Sequence, residues 1–319
     1  MWIFLALSKK TNVDNIVEIK EVSKFYGAKA AVNKLSLKVP KGCIFGLLGP
    51  NGAGKTSLIR MITTITRADE GSIILNGEPL NSKHPTQIGY LPEERGLYKK
   101  MKIGEHLLYL GQLKGLTKKV ATSYAHEWLQ RLDLDDRWSE KVENLSKGLQ
   151  QQVQFIATVI HKPPLLILDE PFSGLDPINT NRLKDEIRRL NKEGTSIIFS
   201  THRMEQVEEI CEYIALVNQG ENVLEGSVNE VRERYKKNHY ALHYKGELPD
   251  QFEGQFNIVK HENNYIKLNA EEEQNANVLL QSILNTGVQI QSFSEILPSL
   301  NEIFIRIVEA SQTSKTSVA

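Results

Sequence analysis

A glycine-rich stretch between two apolar segments has the residue types and spacing that phosphate binding requires. Residues 43–62 read CIFGLLGPNGAGKTSLIRMI and contain the pattern G-x-x-x-x-G-K-T. Glycines let backbone N–H groups converge on one point, the lysine supplies a cation for phosphate oxygens, and the threonine hydroxyl is a ligand for Mg²⁺. The pattern therefore predicts a phosphate-binding loop. Its residues are Gly49, Pro50, Asn51, Gly52, Ala53, Gly54, Lys55, Thr56 and Ser57.

Two adjacent acids follow a second apolar run, in the stretch PLLILDEPFSGLD. Ligands of open α/β sheets bind beyond the carboxyl ends of the strands, so Asp169 and Glu170 are expected beside the phosphate loop. Asp169 is expected to hold Mg²⁺, and Glu170 to polarise an attacking water. A solvated pair of surface acids is the alternative. His202 ends a third apolar run, TSIIFSTH, and is a candidate to hydrogen-bond a terminal phosphate.

The polar stretch NLSKGLQQQ precedes the Asp-Glu strand and reads as a helix that Ser146 caps. A serine at the start of a helix helps to make an anion site, because the first backbone N–H groups lack partners within the helix. The sequence leaves two interpretations open for this stretch. It is a plain capped helix start, or it is half of a site that another chain completes.

The elements that must position these residues follow from the hydrophobic periodicity. The stretches IVEIKEV, KLSLKVP and SIILNG alternate apolar and polar residues, which predicts half-buried antiparallel strands. The continuous apolar runs CIFGLLG, PLLILDEP and TSIIFSTH predict strands that are covered on both faces. Helical patterns separate them, so residues 16–226 are expected to form an α/β domain with an antiparallel β part. Helices are predicted at 55–66, 103–114, 118–132, 148–161 and 179–193, with a helical subdomain at about 97–154.

The ends of the chain differ in texture from this domain. Strand and helix patterns alternate over residues 227–309, which predicts a small α+β C-terminal domain. The tail 310–319 has no apolar periodicity and is expected to be disordered. Residues 1–15 are interpreted as a ragged N-terminal extension. The opening run of seven apolar residues is too short for a membrane span, and the extension lacks the residue order of a signal peptide.

The amino-acid composition limits the kinds of molecule that the chain is expected to bind directly. The 319 residues include 39 basic and 39 acidic side chains, so no net charge attracts nucleic acid or an anionic membrane, and no nucleic acid is expected. The two cysteines lie far apart in sequence, without metal-type spacing. No stretch approaches eighteen apolar residues, so work at a membrane would need a partner protein.

Together the ordered motifs GPNGAGKT, LSKGLQQQ, LILDEP, SGLD and STH resemble the nucleotide-binding subunit of an ATP-binding cassette (ABC) transporter over about residues 17–226. The resemblance implies an ABC-type P-loop NTPase fold, with an antiparallel β subdomain and a helical subdomain. It implies ATP hydrolysis with ATP and Mg²⁺ as ligands. It also identifies LSKGL as the signature element, whose usual pattern is Leu-Ser-Gly-Gly-Gln. In the family this element contacts the γ-phosphate of the ATP that the opposite subunit binds. Ser146 and Gly148 match this pattern, whereas Lys147 and Leu149 depart from it.

Three further positions take their roles from the same resemblance. Tyr26 in KFYG matches the aromatic residue that stacks on adenine, and a buried core tyrosine is the alternative. Glu93 stands where the family has glutamine, and it is a candidate Mg²⁺ ligand that adds negative charge beside the phosphates. Asp176 in SGLD resembles the loop that reaches across the dimer, and an ordinary helix cap is its alternative.

The partners also follow from the resemblance. It implies a homodimer or a paired ATPase subunit, and a separate integral membrane permease that docks near the helical subdomain. The phrases LPEERGLYKKM and PSLNEIFIRIVEA resemble a bacterial efflux branch of sodium- and drug-exporter type, which favours export and a location at the cytoplasmic face of the cell membrane. Two alternatives remain. They are a soluble cassette ATPase without a permease, and a regulatory subunit that hydrolyses ATP weakly.

Overall fold

The computed structural model of the protein describes residues 14–94, 96–249, 252–270 and 275–316. The chain divides into two compact units, with the boundary between Ser227 and Val228. The predicted N-terminal extension falls almost wholly on residues 1–13, outside the described ranges. None of the helices in those ranges is both long enough and apolar enough to cross a membrane.

The first unit alternates strands and helices in the order that the periodicity predicts. Its elements are β1 (Asn15–Tyr26), β2 (Lys29–Pro40), β3 (Ile44–Leu48), α1 (Lys55–Ile62), β4 (Glu70–Leu75), β5 (Glu78–Pro79), β6 (Ile88–Leu91), α2 (Ile103–Leu113), α3 (Lys118–Arg131), α4 (Lys147–Val159), β7 (Leu165–Asp169), α5 (Pro177–Lys192), β8 (Ser196–Ser200), α6 (Met204–Ile210), β9 (Tyr213–Asn218) and β10 (Glu221–Ser227).

The three alternating stretches form an antiparallel sheet in the order β2-β1-β4-β5. In the register of this sheet, Ile19 lies opposite Leu37 on one neighbouring strand and Ile73 on the other. These apolar residues are buried, whereas several of the residues between them are exposed. One face of the sheet therefore packs on the core, as the alternation predicts.

The three continuous apolar runs lie side by side in a six-stranded sheet with the order β10-β9-β3-β8-β7-β6. The strands β3, β6, β7, β8 and β9 are parallel, and β10 is antiparallel to β9. Every residue of β3, β7 and β8 is buried. Because these strands are parallel neighbours, their carboxyl ends meet at one edge, and that edge positions the candidate site.

The helix α1 packs in a hydrophobic core to which the antiparallel sheet also contributes residues. Val17 and Ile19 of β1, Phe45 of β3, and Ile59 and Met61 of α1 belong to one cluster of buried residues. This packing fixes the helix that begins at the phosphate loop. The helix ends at Ile62 rather than at the predicted residue 66. Thr64 adopts a left-handed φ of 61°, which a regular helix does not allow.

The helical part is inserted between β6 and β7. The helix predicted at 103–114 spans Ile103–Leu113, and the described residues 96–102 that precede it are not helical. The helices α2 and α3 also pack against α4. A Cβ on Gly104 would lie 2.2 Å from the Trp138 ring, so only glycine fits at this contact. The helix α4 starts at Lys147, one residue before the predicted start, with Ser146 as its N-cap.

The second unit contains a four-stranded antiparallel sheet in the order β12-β13-β11-β14. Tyr240, Leu242 and Ile266 of this sheet share a buried cluster with Leu279 and Ile283 of a helix. The elements are α7 (Val228–Arg234), β11 (His239–Lys245), α8 (Phe252–Gln255), β12 (Ile258–Glu262), β13 (Tyr265–Asn269), α9 (Ala276–Asn285), β14 (Gln289–Ile296) and α10 (Leu300–Thr316).

The short helices α7 and α8 of this unit were not predicted, and two further features differ from the sequence expectation. The strand β12 was not predicted, because four of its five residues are exposed and the apolar alternation is absent. The helix α10 continues to Thr316, so the prediction of a disordered tail is wrong for residues 310–316. Helical turns continue there without the apolar spacing on which the prediction relied. Residues 317–319 lie outside the described ranges.

Candidate active site

The phosphate loop joins β3 to α1 and can be built only with glycine at two positions. Gly49 has a φ of 146°, and a Cβ there would lie 2.1 Å from the carbonyl oxygen of Val217. Gly54 has a φ of 111°, and a Cβ there would lie 2.3 Å from the carbonyl oxygen of Ala31. Both glycines therefore combine a left-handed backbone with a close approach to a neighbouring strand. The N-terminus of α1 begins directly after Gly54, so its unpaired N–H groups face the loop.

Lys55 is held inside this loop. Its Nζ donates hydrogen bonds to the carbonyl oxygens of Gly49, at 2.6 Å, and of Pro50, at 3.1 Å. Burial lowers the pKa of the Lys55 ammonium, and the nearby negative charges of Asp169, Glu170 and Glu93 oppose that shift. The loop thus keeps a cation beside three acids.

Asp169 and Glu170 lie at the carboxyl end of β7, as the apolar run predicts. Asp169 is buried, and burial together with the negative charges of Glu93 and Glu170 raises the pKa of its carboxyl group. Glu170 has a left-handed φ of 50°, which is uncommon for a residue with a side chain. Its backbone N–H donates to the carbonyl oxygen of Ser200 at 2.9 Å, so the neighbouring strand β8 holds this turn in place.

The carboxylate of Glu170 is fixed by the segment that leaves β8. The Thr201 hydroxyl donates to its Oε2 at 3.1 Å, and the His202 backbone N–H donates to its Oε1 at 2.9 Å. The His202 ring nitrogen Nδ1 lies 2.6 Å from the same Oε1. The three contacts orient one carboxylate at the sheet edge, and they pair two residues that the sequence proposed for separate roles.

Most of the predicted site residues line one cavity of about 340 Å³. Tyr26 lies at this cavity and is 49% exposed, so the alternative of a buried core tyrosine is wrong. Lys29 and Ala31 also line the cavity and were not predicted, although their place in the hairpin directly after Tyr26 was a usable signal. The predicted residues on its lining are Tyr26, Asn51, Gly52, Ala53, Gly54, Lys55, Thr56, Ser57, Glu93, Asp169, Glu170 and His202.

The signature stretch and the SGLD loop lie elsewhere in the described structure. Ser146, Lys147, Gly148 and Asp176 are not among the residues that line this cavity. The Ser146 hydroxyl accepts a hydrogen bond from the Leu149 N–H at 3.3 Å, and Asp176 accepts from the first N–H groups of α5. Both are therefore helix caps within the chain. The signature stretch and the SGLD loop also lie next to each other, because a Cβ on Gly148 would lie 3.2 Å from the carbonyl oxygen of Gly174.

A second cavity, of about 770 Å³, is lined by residues of α1, β6, α2 and α4. It shares Thr56, Glu93 and Asp169 with the phosphate cavity. His106 lies on its lining and is fully buried, and neither of its ring nitrogens has a hydrogen-bond partner among the described residues. The buried Oε1 of Gln154, on the same lining, likewise has no partner there. The sequence analysis did not single out this cavity or His106.

Comparison with known proteins gives the family. Residues 32–173 match the family model described as "ABC transporter", and residues 226–308 match the C-terminal domain described as "ATP-binding protein DrrA1-3-like". The chain is 43% identical to the uncharacterised ABC transporter ATP-binding protein YhaQ of Bacillus subtilis strain 168. That alignment covers 92% of this chain and 99% of YhaQ.

Two other similar proteins extend the comparison. The linearmycin resistance ATP-binding protein LnrL of Bacillus subtilis strain 168 is 36% identical, over 69% of this chain and 71% of LnrL. A dimeric bacterial ABC transporter cassette, MJ0796, has the same fold, with a TM-score of 0.62 and 22% identity over 66% of this chain and 98% of that one. The predicted ABC fold is confirmed, and the chain belongs to the family of ABC transporter ATP-binding subunits, which are ATPases.

Proposed function

We propose that ATP is hydrolysed in the 340 Å³ cavity, with the roles divided between its two sides. One observation carries this proposal. Lys55 and Thr56, at the start of α1, line the same cavity as Asp169 and Glu170, at the end of β7. The loop amides and the Lys55 ammonium bind the phosphates, and the exposed Tyr26 ring stacks on the adenine. Glu170 orients the attacking water, and His202 holds the Glu170 carboxylate in place.

The residues at this cavity also fit a magnesium ion. Mg²⁺ is usually held by one or two protein oxygens, together with water and substrate phosphates. The Thr56 hydroxyl and the Asp169 carboxylate supply those oxygens, and Glu93 is a further acid on the same lining. When bound, the ion would offset the negative charge of the phosphate oxygens. Among the described residues, no group of three or more His, Cys, Asp or Glu side chains could hold a metal ion without other ligands.

The second half of the ATP site is proposed to come from another subunit. ABC ATP-binding subunits dimerise. Ser146 and Gly148 match the family signature but do not line the cavity of their own chain, within the part of the molecule that the structure describes. In a head-to-tail dimer, the N-terminus of α4 in one subunit would contact the phosphates that the other subunit binds, and Asp176 would lie at the same interface.

Subunits of this family work with membrane permeases. For this chain we propose a permease on a separate chain and export as the direction of transport, because the similar protein LnrL is described as a linearmycin resistance ATP-binding protein. The chain would then lie at the cytoplasmic face of the membrane, held there through the permease.

The 770 Å³ cavity is the proposed docking site for that permease. Its lining includes Ile65 and Leu113, which are each 59% exposed, around the buried polar atoms of His106 and Gln154. A polar side chain on a permease loop would satisfy those atoms, while apolar neighbours would cover the rim. Because Glu93 and Asp169 line both cavities, docking and ATP binding are expected to influence each other.

ATP turnover tests the hydrolytic site. Lys55→Ala should abolish ATP binding, because the phosphates lose their cation. Glu170→Gln should keep ATP affinity within about twofold while turnover falls at least about 100-fold, a typical loss for a general base. Steady-state ATPase rates and binding of a fluorescent ATP analogue measure both. Equally negligible rates for wild type and Glu170→Gln would instead favour the regulatory subunit.

Co-purification with a candidate permease, encoded beside this chain, tests the docking site. Leu113→Asp puts a charge on the rim of the cavity and should reduce recovery of the permease at least about tenfold, because burying an unpaired charge is costly. Val120→Asp is the matched control, since Val120 is 36% exposed on α3 and does not line the cavity. Equal losses for both variants, or none for either, would remove the cavity from the docking site.

A further inference from the structure

Two residues depart from the family pattern by carrying charges of opposite sign. Glu93 replaces an uncharged glutamine, and Lys147 replaces an uncharged glycine. Neither residue forms an ion pair with any part of the chain that the structure describes, and both are exposed. Within the described part of one subunit, no ion pair therefore neutralises either charge.

The negative charge of Glu93 adds to an excess of acidic side chains at the phosphate site. The charged residues on the cavity lining are two lysines, Lys29 and Lys55, against three acids, Glu93, Asp169 and Glu170. Glu93 is close enough to Asp169 and Lys55 to act on both. ATP bound with Mg²⁺ brings further net negative charge to this cavity. A cation from outside the subunit would relieve the excess.

Lys147 is placed unfavourably for its own helix. It is the first residue of the 13-residue helix α4, and the first turn of that helix contains no acid. The N-terminus of a helix carries partial positive charge, so a lysine there is repelled rather than stabilised. The nearest acid in sequence, Glu143, is already within 3.7 Å of Lys141. Lys147 thus extends a cation from the end of the helix that, in the proposed dimer, faces the other subunit.

We propose that Lys147 of one subunit and Glu93 of the other form a charge pair across the composite ATP site. The inference rests on the proposed head-to-tail dimer. Closure on ATP excludes water from the interface, so opposite charges that are screened in the separate subunits attract each other strongly in the dimer. The pair would restrict closure to partners that carry both residues, because a mismatched subunit leaves one charge uncompensated.

A double-mutant cycle on ATP-dependent dimerisation tests the pair. All chains carry Glu170→Gln, so that ATP persists, and the dissociation constant of the dimer is measured by analytical ultracentrifugation at saturating ATP and Mg²⁺. Close charge pairs at interfaces couple by at least about tenfold in affinity. Since the homodimer contains two such pairs, Lys147→Gln should weaken it about 100-fold. In the Glu93→Gln background the same change should cost about twofold or less.

Mixed dimers show whether the pairing crosses the interface. One mixture combines the Lys147→Gln chain with the Glu93→Gln chain, and the other combines the doubly substituted chain with a chain that keeps both residues. Both mixed dimers contain the same two substitutions, but only the first retains a complete pair between subunits. Resonance energy transfer between labelled chains should report the first as about tenfold tighter, a difference that 0.5 M salt should reduce.

The outcomes separate this inference from the dimer on which it rests. If the Glu170→Gln chain stays monomeric with ATP, the composite site itself is refuted. If it dimerises but the two substitutions are additive, the charge pair alone is refuted. Equal affinity of the two mixed dimers, or greater affinity of the second, would place any coupling within one subunit and would also overturn the pair. Binding of a fluorescent ATP analogue to the monomers checks that each loop still takes nucleotide.

Discussion

At the scale of single residues, Glu170 shows how hydrogen bonds with a neighbouring strand and the residues that follow it fix the conformation of a residue and the orientation of its carboxylate. Its backbone has a φ of 50°, a conformation that costs a glutamate about 1 kcal/mol or more. The hydrogen bond from its N–H to Ser200 and three contacts from Thr201 and His202 hold that conformation. Strain of this kind persists only where the surrounding structure over-determines it, and it is frequent at active sites.

Substitution of His202 tests how much of this orientation the ring supplies. His202→Ala removes the ring contact with Oε1 but keeps the backbone N–H bond and the Thr201 bond, so the carboxylate should be loosened rather than released. We expect ATP turnover to fall about 10- to 100-fold, with ATP affinity unchanged within about twofold. Single-turnover kinetics measure both quantities. Unchanged turnover would mean that Thr201 and the backbone orient Glu170 without the imidazole.

At the scale of elements, the inserted helices depend on a close contact between α2 and the chain that follows α3. Gly104 lies against the ring of Trp138, and that ring stacks on His126 at 4.1 Å between ring centres. A second aromatic contact, between Trp128 and Phe155, joins α3 to α4. These contacts hold the helix whose N-terminus carries Ser146 and Lys147, so the position of the signature depends on packing far from it.

Gly104→Ala tests this packing. The new Cβ would overlap the Trp138 ring, and overpacking of this kind costs about 1–3 kcal/mol, more than the gain in helix propensity from alanine. We expect the thermal midpoint to fall by several degrees. Gly96→Ala is the matched control, because a Cβ there meets nothing within 4 Å. A Gly104→Ala chain as stable as the control would show that Trp138 moves aside freely.

At the scale of the whole molecule, buried neutral histidine links stability to pH. Burial lowers the pKa of His106 to about 4, from the ordinary value of 6.5. The unfolded chain therefore takes up a proton below pH 6.5, whereas the folded chain does so only near pH 4. Stability that is fully present above pH 6.5 is lost as the pH falls toward 4, at up to about 1.4 kcal/mol per pH unit.

His106→Phe should remove this contribution to the pH dependence. Phenylalanine has no ring nitrogens to leave unsatisfied, so stability at pH 7.5 should be equal to or above that of wild type. Between pH 7.5 and 5.5 the variant should lose about 1 kcal/mol less than wild type. Urea unfolding at both pH values measures the change in the free energy of unfolding of each chain. The contribution of the carboxylates, which both chains share, cancels when the two changes are compared. Parallel losses would show that His106 takes up its proton without unfolding.

The sequence by itself determined what depends on neighbours along the chain. The G-x-x-x-x-G-K-T spacing, the half-buried alternation of β1 and β2, and the continuous apolar runs of β3, β7 and β8 are local patterns, because strand faces repeat every two residues and glycine sets backbone freedom where it stands. The family motifs around Glu93 and Ser146 could likewise be recognised in the sequence, from their order along the chain.

Only the tertiary structure decided what depends on residues far apart in sequence. The strand-end rule already led us to expect Asp169 and Glu170 beside the phosphate loop. The order β3-β8-β7, which the sequence did not give, is what brings them into one cavity with Lys55, more than 100 positions away. The tertiary structure also bound Glu170 to His202, and it buried His106 without hydrogen-bond partners among the described residues. Burial and strand pairing depend on the whole fold, and no periodicity within one segment encodes them.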